Sequence, residues 1–78
     1  MMKIIMGNYS YTEDEQISAL IYMYGISRKE VIEGIKSNKY SENDIKKSIL
    51  YQETEGIKPY NKRKEIYERA LKEFGVMK

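Results

Sequence analysis

The sequence predicts an all-α fold: a small three- to four-helix bundle forming a single domain over residues 1–78. Three observations predict it. Helix-start grammar of the capping-box kind occurs at Thr12-Glu13-Asp14-Glu15, Ser27-Arg28-Lys29-Glu30 and Ser41-Glu42-Asn43-Asp44. In each, the first hydroxyl can accept from the backbone N–H three residues on, and the acidic side chain there can reach back to the cap N–H. Apolar residues recur behind these starts with helical spacing. And 78 residues leave room for one core only, burying about 60 % of the unfolded surface.

Residues 1–11 hold Ile4-Ile5-Met6, then Gly7-Asn8, then Tyr9 and Tyr11. They read as an extended arm covering one end of the bundle, since an edge strand has no evident partner. A first helix is expected over about Glu13–Tyr24, with Ile17, Leu20, Ile21 and Tyr24 on one face and Gly25 as its left-handed stop. The second, Arg28–Lys36, turns Val31, Ile32 and Ile35 inward, and Asn38 suits its exit turn. Its interior Gly34 costs about 1 kcal/mol against Ala, which a closely approaching backbone would explain. Ile26 with Val31, and Tyr40 with Ile45, occupy staple positions around the caps.

The third helix, about Glu42–Thr54, buries Ile45, Ile49 and Leu50 and ends at Gly56. These three helices make a core over 12–55. Ile57-Lys58-Pro59-Tyr60 is a connector, because the residue before proline is steered away from helix. Asn61 is the expected cap of an amphipathic C-terminal helix over 61–74, whose stripe is Ile66, Tyr67, Ala70, Leu71 and Phe74. Glu65 with Arg69, and Glu68 with Lys72, stand at pairing distance along it.

From Glu13 to Leu50 the pattern resembles the ubiquitin-associated (UBA) domain, a compact three-helix fold. Ile17, Leu20 and Met23, then Gly25 and Ile26, follow the end of that family's first helix, with Tyr24 as an inserted residue. Ser27-Arg28 matches its second start, Val31, Gly34 and Ile35 its second helix, and Ile49-Leu50 its late apolar pair. The resemblance implies a UBA-like core plus an added helix. It also implies an apolar partner-binding patch made of Met23, Gly25, Ile26, Ile49 and Leu50, to which the neighbouring Tyr51 adds a ring.

Composition argues against catalysis. The chain has no His and no Cys, which removes the usual general base, metal ligands and nucleophile. No catalytic residue, metal or cofactor is expected. Glu13-Asp14-Glu15 is the densest acidic run, yet it occupies a first turn where the helix dipole favours it. The net charge of +2 is mild. No apolar run approaches the ~18 residues of a membrane span, and MMKIIMG is short for a signal-peptide core. A cytoplasmic protein without membrane contact is expected.

Two features remain. Lys62-Arg63-Lys64 puts bases where the other helices put acids. With Lys58 they could form an anion site, or they could be a solvated turn. Eight tyrosines are hard to bury all at once in so small a core: each ring could lie half-buried with a wet hydroxyl, or surplus rings could serve as interface anchors or stack on single-stranded bases. The expected function is a non-enzymatic protein-binding module, as an adaptor or as a phage- or plasmid-encoded modulator or inhibitor of a larger host machine. The competing reading is a small helix-turn-helix DNA-binding regulator, with Lys46 and Lys47 on phosphates; Glu42 and Asp44 at the start of its recognition helix oppose that. Self-association into a homodimer stays open.

Overall fold

A computed structural model describes residues 3–77, and its first element corrects the all-α expectation. Ile4–Met6 (β1) and Tyr9–Tyr11 (β2) pair antiparallel, with Ile4 opposite Tyr11 and Met6 opposite Tyr9. Four helices follow: α1 (Glu13–Tyr24), α2 (Arg28–Lys36), α3 (Glu42–Glu53) and α4 (Tyr60–Glu73). The fold is therefore mixed, helical with a small two-stranded sheet. Gly7 at φ +63° opens the two-residue turn Gly7-Asn8, the left-handed first position that a primed hairpin turn demands. Ile4 and Met6 are buried while Ile5 between them is exposed, the period-two alternation of a strand. Isolated hairpins are marginal in water; this one persists because β1 lays Ile4 and Met6 into the core beside α3.

The helices begin where their caps sit. Thr12 and Ser41 close full capping boxes with Glu15 and Asp44. Ser27 closes only half of one. Its hydroxyl accepts from the Glu30 N–H at 3.2 Å, but the Glu30 carboxylate turns to that same hydroxyl rather than to the backbone. The shorter aspartate thus completes a box that the longer glutamate leaves open. α4 starts earlier than expected. Its cap is Pro59, whose carbonyl accepts from Lys62 and Arg63 N–H, and Asn61 lies inside the helix. Proline supplies no side-chain acceptor, so this is the one helix without a side-chain cap.

α1 and α3 share the most extensive packing; α2 lies against α1, while α4 and β1 lie against α3. Ile4, Ile17, Leu20, Val31 and Ile45 are the innermost apolar side chains, with Ile49, Leu50 and Leu71 completing the core. Close approach does explain Gly34, but through a side chain: a Cβ there would stand 2.6 Å from Cε2 of Tyr40. Of the two expected pairs on α4, Glu65–Arg69 forms at 3.2 Å. Glu68 and Lys72 are not among the ion pairs of the described residues.

Candidate functional site

One stripe of α4 and its C-cap runs Tyr60, Arg63, Tyr67, Leu71 and Phe74, at i, i+3, i+7, i+11 and i+14. Its later members seal the core. Tyr60, in the first turn of α4, remains 69 % exposed. Between α3 and α4 a notch of about 190 Å³ opens, lined by Tyr51, Tyr60, Arg63, Lys64, Tyr67 and Glu68.

Arg63 builds the floor of this notch. Its Nη2 donates to the Tyr51 carbonyl at 2.7 Å and to the Tyr22 hydroxyl at 3.0 Å, and its Nε reaches Thr54 Oγ1 at 3.4 Å. The guanidinium carbon lies 4.1 Å from the centroid of the Tyr51 ring, in cation–π range. Every acceptor is neutral, so the charge is held without a carboxylate. The Tyr51 and Tyr67 rings meet edge to face with centroids 5.4 Å apart, and Tyr22 lies 5.5 Å from Tyr51. Burial holds the Tyr67 phenol above its ordinary range, with Tyr51 adding to the effect; its hydroxyl donates to the Lys47 carbonyl. Three tyrosine rings make the wall together with Arg63, Lys64 and Glu68.

The residues singled out by sequence fall in different places. Ile49 and Leu50 are 3 % and 4 % exposed and belong to the core. Met23 is half-buried, and its thioether accepts from Ser48 Oγ at 3.3 Å. Gly25 is exposed and Ile26 half-buried beyond the end of α1. These five therefore do not form one open apolar face, because α3, which carries two of them, is covered by its neighbours. Tyr51 is half-buried beneath Arg63. Among the basic residues, Lys58, Lys62 and Lys64 are exposed, Arg63 turns inward, and Lys46 pairs with Glu42 at 3.1 Å with its side chain 16 % exposed. Lys47 is half-buried. The basic turn is divided: Arg63 and Lys64 line the notch, and Lys58 and Lys62 do not.

The acidic run at the start of α1 is engaged structurally: Asp14 pairs with Arg28 at 2.9 Å, and Glu15 holds the cap and the Tyr9 hydroxyl. Among the described residues no group of acidic side chains is arranged to hold a metal ion, and no helix is long and apolar enough to cross a membrane. Tyr60 and Tyr67, central to the notch, were absent from the patch that the family pattern implied. Their signal was present as a seven-residue spacing that continues the Leu71–Phe74 stripe toward the helix start. Comparison with family models, curated proteins and solved structures finds no match for the chain. The UBA-like resemblance thus rests on the sequence pattern of residues 13–50 alone.

Proposed function

We propose that this chain is a non-enzymatic protein-binding module whose docking surface centres on the notch between α3 and α4. The observation that carries this reading is Tyr60, a large ring left 69 % exposed at the mouth of an aromatic-walled concavity. Tyrosine and arginine are the residue types that interfaces favour at their energetic centres, seated in preformed pockets. The size of the notch points the same way. Small-molecule sites span about 300–1,000 Å³, whereas about 150 Å³ suffices for a single benzene ring. At about 190 Å³, this notch is fitted to one side chain of a larger partner. An adaptor, or a modulator of a larger machine, is the role such a surface would serve.

The DNA-binding reading draws little support from the same geometry. Lys46 is tied to Glu42, and both Glu42 and Asp44 head the helix that would enter the groove. The test is site-specific photo-crosslinking from position 60. A photoreactive phenylalanine analogue replacing Tyr60 should give a discrete protein adduct in cells expressing the chain, while the same probe at exposed Glu73 should not. A crosslink to a second copy of the chain would identify a homodimer as the partner. Equal, diffuse labelling from both positions would sink the proposal.

A further inference from the structure

Resting on the docking reading above, the charge state of the notch specifies its occupant. Arg63 spends Nε and Nη2 on Thr54, Tyr22 and Tyr51, which leaves Nη1 without a protein acceptor among the described residues. A guanidinium offers five N–H donors and is never deprotonated. Three are used, and all on neutral oxygens. Lys64 stands in the same wall, and the only carboxylate there is Glu68. Two cations thus face one anion around a cavity otherwise made of rings. A positively charged partner segment would meet like charge at close range, and a wholly apolar one would leave Nη1 desolvated and unpaired, at a cost.

We infer that the notch docks an acidic linear segment of a partner protein: one aromatic or branched aliphatic side chain seats among Tyr51, Tyr60 and Tyr67, and a neighbouring Asp or Glu pairs with Arg63 Nη1 and Lys64. The aromatic anchor supplies most of the affinity, and the carboxylate selects among anchors. The pairing with Nη1 is single-pronged, because the Nε–Nη2 edge used for two-pronged carboxylate binding is turned inward. Lys64, which is exposed and carries its charge on a flexible four-carbon stem, supplies the second charge.

The experiment is fluorescence anisotropy with labelled short peptides against the full chain. One probe has a central Phe flanked by Asp and Glu, one has Ser in place of that Phe, and one keeps the Phe between Lys flanks. A single-stranded thymidine oligonucleotide is the fourth probe. The acidic Phe peptide is expected to bind at least about tenfold more tightly than the other two peptides, and more weakly as salt rises. Tyr60→Ala and Lys64→Glu, at exposed positions, should each weaken it about tenfold while the helical circular dichroism and melting temperature stay unchanged. Equal or tighter binding of the Lys-flanked peptide overturns the inference, as does a Tyr60→Ala protein that binds like the wild type. Binding of the oligonucleotide alone overturns it in favour of a nucleic-acid strand stacked on the same rings. If position 60 crosslinks a protein in cells yet the acidic peptide shows no advantage, the docking site stands and the acidic occupant falls. If neither result appears, both fall.

Discussion

Gly34 lies inside α2, where alanine would raise helix propensity by about 1 kcal/mol, yet the ring of Tyr40 occupies the space a Cβ would need. Tyr40 is buried and its ring lies tilted against that of Tyr24, centroids 5.5 Å apart, so displacing it disturbs a packed pair. Overpacking of this kind costs about 1–3 kcal/mol, enough to outweigh the propensity gain. Gly34→Ala is therefore expected to destabilise by up to roughly 2 kcal/mol in urea unfolding. In a Tyr40→Leu background the same change should cost nothing or stabilise, because the clashing atom is gone. A Gly34→Ala protein as stable as the wild type would show that the ring moves freely. Arg63 makes the complementary case. Lysine preserves its charge but neither the planar stack on Tyr51 nor donors reaching three oxygens at once. Arg63→Lys is expected to lower stability by about 1–2 kcal/mol, read as a lower urea midpoint with an unchanged m-value.

At the level of elements, the hairpin is fastened to the helical body by two tyrosine–carboxylate hydrogen bonds, Tyr11 to Glu53 and Tyr9 to Glu15. Burial, then the bond to Glu53, pushes the Tyr11 phenol above its ordinary 10.0. A raised phenol pKa means that folding favours the neutral form, so its contribution is complete below pH 10 and is lost as pH climbs beyond it. Glu15 behaves oppositely. The Thr12 N–H, then the Tyr9 hydroxyl, hold its carboxyl below the ordinary 4.5, so its contribution is present above that value and fades as pH falls. Urea midpoints measured across pH should therefore decline at both ends. Tyr11→Phe should flatten the alkaline limb and Glu15→Gln the acid limb; unchanged limbs in both variants would remove these bonds from the account. The starts of α1, α2 and α3 were legible because caps are local: a hydroxyl and an acid three residues apart carry the whole signal. The hairpin was harder to read. Three-residue strands show little periodicity, and what stabilises β1 is contact with α3, some forty residues along the chain. The Gly7-Asn8 dipeptide between apolar and tyrosine runs was the available clue. The same non-local packing explains Ile49 and Leu50. Their helical spacing already turned them inward; only the patch implied by the family resemblance exposed them, and β1 and α4 both pack on the helix that bears them.

At the scale of the molecule, the large exposed apolar groups among the described residues are Ile5 and Tyr9 on the hairpin, Tyr24 at the end of α1 and Tyr60 at the start of α4. Of these four, Tyr60 stands at a concave, aromatic-lined site, which separates it from the scatter of single exposed residues any small protein shows. A chain of this length is expected to hold roughly 4–12 kcal/mol of folding stability, so a bound partner changes the total appreciably. A ligand binding only the folded state adds about 2.7 kcal/mol at one hundred times its Kd. In domains this small each kcal/mol moves the melting temperature by roughly 4–8 °C. The acidic Phe peptide at that excess is therefore expected to raise the wild-type melting temperature by on the order of 10 °C, since the notch exists only while α3 and α4 are docked. Tyr60→Ala should melt like the free wild type and respond to the peptide by a small fraction of that shift, because its loss removes the anchor's seat without disturbing the core. A peptide-induced rise of equal size in Tyr60→Ala would place the binding surface elsewhere on the molecule, with the exposed tyrosines of the hairpin as the next face to probe.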